Sequence, residues 1–221
     1  MISVAIDGPA GAGKSTLAKK VAETLQFLYV DTGAMYRAIG LYAVKNNVSA
    51  KDATGVCALL TQINLNLKYI GGTQHIFLNG EDVSEEIRKE EISMAASAVS
   101  AHAKVREFLL DTQRDMARTN NVVMDGRDIG TVILPNADVK IFLTASPQAR
   151  AMRRTKELVE KGINADFDTV LEDVKKRDYD DTHREAAPLK QADDAVLVDT
   201  TNLDFNASFA ALLSVINAKI K

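Results

Sequence analysis

The feature that most constrains this chain is a glycine-rich segment near its start. Residues 8–15 are Gly-Pro-Ala-Gly-Ala-Gly-Lys-Ser, which fits the pattern G-x-x-x-x-G-K-[ST] at every fixed position. A short apolar run at residues 2–6 precedes the segment, and Leu17, Val21 and Leu25 follow it at four-residue spacing. That spacing is typical of one helix face, so the sequence predicts a strand, a tight turn and a helix in this order.

The residue types in this segment suit the phosphates of a nucleotide. Glycines allow successive backbone N–H groups to turn inward around phosphate oxygens, and the next helix directs its positive dipole end at the same anion. Lys14 can then reach the β- and γ-phosphates, and the Ser15 hydroxyl can bind Mg²⁺. The predicted nucleotide-binding residues are Gly8, Pro9, Ala10, Gly11, Ala12, Gly13, Lys14, Ser15 and Thr16.

This segment does not by itself identify the reaction, because GTPases, ATPases and small-molecule kinases share it. The guanine-reading motif N-K-x-D is absent from the sequence, which disfavours a GTPase. A length of 221 residues suits one domain and is short for an ATP-driven machine. A small ATP-dependent kinase fits best. Two rivals stay open: a kinase with a different acceptor, and a nucleotide switch or ATP-binding regulatory protein that has no acceptor.

Composition disfavours several other classes. The formal net charge of -3 argues against binding of a nucleic acid polymer. Cys57 is the only cysteine, which excludes an intrachain disulfide framework, and the three histidines lack the spacing of metal ligands. No apolar run approaches the roughly 18 residues of a membrane span, and the N-terminus has no signal-peptide pattern. We therefore expect a cytoplasmic protein that binds neither membranes nor a nucleic acid polymer. We also expect it to be a monomer.

Further along the chain, short apolar runs alternate with helical patterns. Strands are predicted at residues 28–30, 122–124, 139–143 and 195–198. Ser146 and Pro147 have the order of a helix cap and a first helical residue, so a helix is predicted to run from there to about Lys161. Such alternation predicts an α/β protein whose parallel sheet is flanked by helices.

One stretch interrupts the alternation. Residues 64–69 alternate with period two, Gly71-Gly72 forms a turn signal, and residues 75–78 form a second apolar run before Asn79-Gly80. The pattern predicts a small antiparallel sheet inserted into the core, followed by one long helix near residues 92–118.

Polar residues follow three of the predicted core elements, at residues 31–37, 125–131 and 175–184. In a parallel α/β sheet, ligands bind beyond the carboxyl ends of the strands, and arginines there suit a phosphate-bearing acceptor. Structural roles remain open for the same residues. These alternatives are caps or turns for Asp31 and Asp125, an ion pair for Arg37, core packing for Tyr36, and surface charge for Arg153, Arg154, Arg177 and Arg184.

Taken together, these motifs resemble those of bacterial cytidylate kinases, a nucleoside monophosphate kinase family, over nearly the whole chain. The resemblance rests on GPAGAGKST at 8–16, DTGAMYR at 31–37, AASAVSA at 95–101, VRE at 105–107, DGRDIGT at 125–131 and APL at 187–189. The resemblance implies one P-loop kinase domain over residues 1–221. It also implies a monophosphate-binding insertion at about 63–106 and a short lid at about 150–165.

The resemblance further implies roles for individual residues. The CMP base and phosphate would contact Thr32, Tyr36, Arg37, Ser97, Arg106 and Asp128, and Arg127, Arg177, Asp181 and Arg184 would complete the pentose and phosphate contacts. The expected catalytic cations are Lys14, Arg127, Arg177 and Arg184. Arg153 is expected to contact ATP. Ser15 and Asp125 are the expected magnesium residues, Asp125 acting through water. Tyr179 and Thr182 stand where the family more often has charge.

The reaction expected from this resemblance is phosphoryl transfer from ATP to CMP, and to dCMP. The attacking oxygen belongs to the CMP phosphate, which is already ionised at pH 7, so no general base is needed. Catalysis would rest on positioning and on charge stabilisation. Cytosine presents an amine donor where uracil presents an acceptor, so a carboxylate such as Asp128 would favour cytosine.

Overall fold

A computed structural model describes residues 1–220. The elements that matter for the site are eight strands and eight α-helices. The strands are β1 (Ser3–Asp7), β2 (Leu28–Asp31), β3 (Leu65–Ile70), β4 (Thr73–Leu78), β5 (Glu81–Asp82), β6 (Val122–Gly126), β7 (Val139–Thr144) and β8 (Val196–Asp199). The helices are α1 (Lys14–Leu25), α2 (Thr32–Lys45), α3 (Ala53–Leu59), α4 (Glu90–Val99), α5 (Ala103–Thr119), α6 (Pro147–Glu160), α7 (Phe167–His183) and α8 (Phe205–Lys219).

The larger sheet has the strand order β2-β6-β1-β7-β8. Strand β1 pairs in parallel with β6 and with β7, and β7 pairs in parallel with β8. Because β1 is central, the glycine-rich segment that follows it lies at the carboxyl edge of the sheet, where parallel α/β sheets bind ligands. The predicted parallel sheet with flanking helices is confirmed.

The described residues form two compact units. The first unit comprises Met1–Tyr29 and the described residues from Ala117 on, and the second unit is Val30–Met116. In the first unit, alternate strand residues such as Val4 and Ile6 pack against Leu17 and Val21 of α1 and against Leu212 of α8. These side chains are at most 3% exposed, and the strand period of two places Val4 and Ile6 on one face of the sheet.

The second unit contains the predicted small sheet. Strands β3 and β4 pair antiparallel from Leu65 opposite Leu78 to Ile70 opposite Thr73, and β5 pairs with β4. Helices α2 and α4 pack closely at Gly40, where an added Cβ would lie 3.0 to 3.2 Å from atoms of Ala95 and Ala96. The hairpin expected from the alternating pattern and the Gly-Gly turn is confirmed.

The prediction of one long helix near residues 92–118 is wrong. The structure has α4 and α5, separated at residues 100–102. Ser100 Oγ donates a hydrogen bond to the carbonyl of Ser97, and Arg106 Nη1 donates to the carbonyl of Ser100. His102 contacts the carbonyl of Ala50 through Nε2 at 2.9 Å. The contacts of Ser100 and Arg106 satisfy backbone carbonyls at the break, which is how helix ends are stabilised.

No helix in the described residues is long and apolar enough to cross a membrane.

Candidate active site

The glycine-rich turn has a backbone that only glycine adopts easily. Gly11 and Gly13 have φ angles of 74° and 87°, in the left-handed region. Gly8 has φ of 150°, and a Cβ there would lie 1.9 Å from the carbonyl oxygen of Leu143 in β7. The fixed glycines of the motif therefore allow both the tight turn and its close approach to the neighbouring strand. The turn opens directly into α1 at Lys14, as predicted.

Lys14 is held inside this turn. Its side chain is buried, and Nζ donates a 2.7 Å hydrogen bond to the carbonyl of Pro9. The pKa of Lys14 is lowered to about 7, mainly by burial and also by the nearby positive charge of Arg127, while Asp125, Asp181 and Asp7 act in the opposite direction. The amine therefore lies folded back onto the turn, and an anion bound beside it would favour its charged form.

A hydrogen-bonded group forms around Asp125 at the end of β6. The Ser15 hydroxyl donates to Oδ2 of Asp125 at 2.9 Å, and the Tyr29 hydroxyl donates to Oδ1 at 2.9 Å. Asp125 is 3% exposed, so the two hydroxyls satisfy a carboxylate that is almost fully out of water. Asp125 is thus more than a turn former. Tyr29 was missed from the sequence, where it is only one residue of an apolar strand.

The oxygens of Ser15 and Asp125 fit the chemistry of magnesium. Mg²⁺ prefers hard oxygen ligands and usually uses one or two protein groups together with waters and substrate phosphates. The described residues contain no group of three or more His, Cys, Asp or Glu side chains that could hold a metal ion alone. The pair therefore suits a metal that arrives with the nucleotide.

Asp7, at the end of β1, is a second functional candidate that sequence reasoning missed. It is 5% exposed and accepts 2.7 Å hydrogen bonds from the backbone N–H groups of Ile129 and Gly130. Those two residues begin a short π-helical turn, Ile129–Ile133, directly after Asp128. Asp7 therefore fixes the backbone that carries Arg127 and Asp128. The sequence signal was weak, because the acid lies just before the glycine-rich segment and looks like part of its turn.

We predict that Asp7 gives the protein a specific pH dependence of stability. Burial raises the pKa of Asp7 to about 6, although the N–H groups of Gly130 and Ile129 act to lower it. In the unfolded chain its pKa is about 3.9. The native state therefore takes up a proton at a higher pH than the unfolded state does. Protonated Asp7 therefore adds about 3 kcal/mol to the free energy of unfolding. This stabilisation is fully present below about pH 4 and is lost as the pH rises through about 6.

Replacing Asp7 by Asn should remove this contribution. Urea unfolding of wild type and of Asp7→Asn between pH 4 and 7 measures it as the difference between the two curves. Asp193→Asn, at an exposed position, is the matched control and should follow the wild-type curve. Parallel curves for wild type and Asp7→Asn would contradict the prediction.

The predicted residues Arg127, Asp128, Asp181 and Arg184 come together in the first unit. Arg127 Nε donates to Asp181 Oδ2 at 2.8 Å, and Arg184 lies 3.8 Å from both Asp128 and Asp181. Burial acts to raise the pKa of Asp181, but Arg127 and Arg184 outweigh it and the pKa is lowered. Burial acts to lower the pKa of Arg127, but the charge and hydrogen bond of Asp181 together with the charges of Asp125 and Asp7 outweigh it, and the pKa is raised. Two charges of each sign thus stabilise one another.

The surface-charge alternative fails for Arg184, whose side chain is 6% exposed and whose Nε donates to the carbonyl of Ala187. Arg177, seven residues earlier on α7, is half-buried. Arg153 donates to the hydroxyl and carbonyl oxygens of Thr200, so it is anchored to the loop after β8. Arg154 instead pairs with Glu157 near the surface of α6.

The remaining predicted residues belong to the second unit. Asp31 caps α2 by accepting from the N–H of Ala34, as the structural alternative proposed. Tyr36 is 8% exposed, and the Arg106 guanidinium lies 5.4 Å from the centre of its ring, within the range of a cation–π contact. Arg37 Nη1 lies 3.4 Å from the carbonyl of Ile87. Tyr36 is therefore packed in the core, as the structural alternative proposed, and its ring also contacts the guanidinium of Arg106.

Two more of them lie on helices of this unit. Thr32 is 2% exposed and begins α2, and Ser97 lies on the last turns of α4. Both units thus carry polar residues of the kind that bind nucleotides, held by their own elements.

Comparison with known proteins identifies the family. The family model described as cytidylate kinase matches residues 4–218. The chain belongs to the cytidylate kinase family.

Curated members of this family are similar over their full length. The chain is 47% identical to the cytidylate kinase of Caldicellulosiruptor bescii, covering 100% of this chain and 97% of that protein. It is 49% identical to the cytidylate kinase of Leuconostoc mesenteroides, over 98% of this chain and 97% of that protein. Among solved structures, a shikimate kinase from Bacteroides thetaiotaomicron covers 98% of both chains at 16% identity with a TM-score of 0.49, too distant to add to the assignment. The resemblance drawn from the motifs is confirmed.

Proposed function

We propose that this protein is an ATP-dependent kinase that transfers the γ-phosphoryl group of ATP to CMP, giving ADP and CDP. The observation that carries the proposal is the phosphate-binding turn with its buried lysine, in a chain that belongs to the cytidylate kinase family. The same turn in a switch protein would need no acceptor site. Here the arginines and carboxylates of residues 127–184 supply charges suited to a second phosphate-bearing ligand.

The reaction needs no proton acceptor. An oxygen of the CMP phosphate attacks the γ-phosphorus, the bond from that phosphorus to the β,γ-bridging oxygen breaks, and ADP leaves with the electron pair. The attacking oxygen is already ionised at pH 7, and none of the three histidines lies in a predicted motif. The rate enhancement comes from holding both nucleotides in line and from stabilising the charge on the transferred group.

Lys14 and three arginines are the proposed cations for this step. Lys14 leaves the Pro9 carbonyl for the β- and γ-phosphates when ATP binds, because a phosphate dianion is the stronger acceptor. Arg127, Arg177 and Arg184 contact the phosphates, with the first and last oriented by Asp181. Arg153 is the proposed ATP contact on α6, and its guanidinium is held by the hydroxyl and carbonyl oxygens of Thr200.

Ser15 and Asp125 would hold Mg²⁺ bound with ATP, Asp125 through a water. The ion supplies neutralising charge at the β- and γ-phosphate oxygens. In the protein, Tyr29 keeps one oxygen of Asp125 engaged and leaves the carboxylate in a single orientation. The hydrogen bond from Tyr29 therefore supports a role for the Asp125 carboxylate in binding the hydrated ion.

The CMP contacts are proposed for each unit by itself. In the second unit, the base and the phosphate contact Thr32, Tyr36, Arg37, Ser97 and Arg106, and the insertion at about 63–106 is the monophosphate-binding segment. In the first unit, Asp128 accepts from the cytosine amine, and Arg127, Arg177 and Asp181 contact the pentose and phosphate. A lid at about 150–165 excludes water that would otherwise take the phosphoryl group.

A panel of monophosphates tests this proposal. A coupled assay measures ADP release from ATP in the presence of CMP, dCMP, UMP, AMP or GMP. We expect the highest kcat/KM with CMP. UMP should be at least about tenfold poorer, because its O4 meets a carboxylate where cytosine offers an amine. The experiment should include wild type without acceptor, which gives the background of ATP hydrolysis.

The rival functions predict different outcomes. A nucleotide switch would release ADP at the same rate with and without any monophosphate. A kinase for another acceptor would show its best kcat/KM with a different compound. Turnover with dCMP and a monomeric state in solution are further expectations that the same preparation can check.

A further inference from the structure

The structure contains a buried arginine at the first position of the proposed lid, with no role in the motifs or in the proposed contacts to ATP and CMP. Arg150 lies on the first turn of α6 and is 3% exposed. Its Nε donates to the carbonyl of Ala145 at 2.8 Å. Nη1 donates to the carbonyl of Ala10, inside the phosphate-binding turn, at 3.0 Å. Both terminal nitrogens also donate to the two oxygens of Asp178 on α7.

We infer that Arg150, paired with Asp178, is a positioning residue that fixes the phosphate-binding turn and joins it to α7. Only the expected effect of Arg150 on kcat rests on the proposed function. Arg150 itself is too buried to meet a substrate, so its effect must pass through the two elements that it contacts.

The first element is the peptide between Ala10 and Gly11. This peptide is trans, so its carbonyl and its N–H point in opposite directions. By binding the carbonyl of Ala10, Arg150 holds the N–H of Gly11 on the other side of the peptide plane. The stem of Arg150 also packs behind the turn, since a Cβ on Gly11 would lie 3.5 Å from Arg150 Cβ. Arg150 thereby sets the direction of one backbone donor of the turn.

The second element is α7. Asp178 precedes Asp181 by three residues, so the ion pair and one of the proposed substrate contacts lie on the same face of α7. Arg177, another proposed contact, directly precedes Asp178 on the same helix. Asp181 is in turn bonded to Arg127 at 2.8 Å. The fork of Arg150 therefore holds α7 at a fixed distance from the turn, and the planar, two-pronged geometry restricts rotation as well as translation.

Substitution by lysine separates charge from geometry. Arg150→Lys keeps the positive charge, but its single ammonium cannot bind Ala10 and both oxygens of Asp178 in one plane. We expect kcat with ATP and CMP to fall about tenfold, less than the loss seen when a transition-state donor is removed entirely. KM for CMP should change less than about threefold, because the CMP contacts are still present. Arg118→Lys, on the exposed end of α5, is the matched control and should keep wild-type kinetics.

A double-mutant cycle of Arg150→Lys with Asp178→Asn shows whether the two residues affect kcat jointly or independently. If the two residues act as one unit, the double variant should be no slower than the slower single variant. Amide hydrogen exchange of a peptide covering residues 8–16, in the protein without nucleotide, gives a readout that needs no activity. Both single variants should raise exchange in that peptide, while Arg118→Lys should leave it unchanged.

The outcomes are distinct. Wild-type exchange in residues 8–16 of Arg150→Lys, or multiplied losses of kcat in the double variant, would overturn the inference. If Arg150→Lys does not fold, the exchange and kcat of Asp178→Asn alone decide it by the same criteria. If the wild-type protein shows no CMP-dependent turnover, the proposed function fails, and the exchange experiment still decides whether Arg150 positions the turn.

Discussion

Replacing Lys14 by Ala is expected to lower kcat for phosphoryl transfer by about 10²-fold or more. Lys14 is the cation that the glycine-rich turn encloses, and it is buried with its amine 2.7 Å from the Pro9 carbonyl. A fixed charge in a site with little water stabilises the transferring phosphoryl group far more than a solvated one does. Steady-state rates at saturating ATP and CMP measure the loss.

Two further variants sharpen this experiment. Lys14→Met keeps most of the side-chain stem, so a loss as large as that of Lys14→Ala would assign the effect to charge and not to a cavity. Lys20→Ala, on the same helix, removes an exposed lysine that pairs with Glu23 at 3.4 Å and should leave the rate unchanged. Near-normal turnover in a folded Lys14→Ala protein would remove Lys14 from the mechanism.

Replacing Asp128 by Ala is expected to change base choice. Asp128 is 3% exposed and follows Arg127 at the start of the turn that Asp7 holds. Loss of a hydrogen bond to a charged group costs about 1.5–3 kcal/mol, which is about tenfold to a hundredfold in kcat/KM for CMP. UMP should lose less, because the repulsion between its O4 and the carboxylate is lost as well. The ratio of kcat/KM for CMP to that for UMP should therefore fall by about the same factor.

Asn at this position provides the matched variant. Its amide oxygen still accepts from the cytosine amine, while its NH₂ group donates to uracil O4, so Asp128→Asn should give relatively more UMP activity than Asp128→Ala. Arg184 lies 3.8 Å from Asp128, so thermal unfolding of each variant is needed to separate base choice from lost stability. An unchanged ratio, with both rates reduced equally, would mean that Asp128 supports phosphate geometry or structure and does not read the base.

Asp7 and Arg150 support motif residues from which they are far apart in the sequence. Arg127 and Asp128 were predicted from a motif of seven residues. Their backbone is held by a carboxylate 122 residues away, and the turn that would bind ATP is held by an arginine 140 residues away. A substitution at either holding residue is expected to act on kcat or on stability without removing any group that contacts a nucleotide.

The sequence by itself determined the features whose physical causes are local. The positive φ angles of Gly11 and Gly13 are set by residue type, the Ser146 cap before Pro147 by neighbouring atoms, and the β3–β4 hairpin by alternation around a Gly-Gly turn. The parallel sheet followed from the order of apolar runs, and the family followed from motifs that occur in fixed order along the chain.

Only the tertiary structure decided which polar residues meet. Tyr29 and Asp125 are 96 residues apart, and Arg150 and Asp178 are 28 apart, with nothing in their local sequence that marks them as partners. The break between α4 and α5 has the same origin, because it depends on side chains that bind backbone groups at residues 97–100. Local sequence sets conformational preference, whereas burial of a charge beside a specific partner is possible only once the strands and helices that carry both have packed.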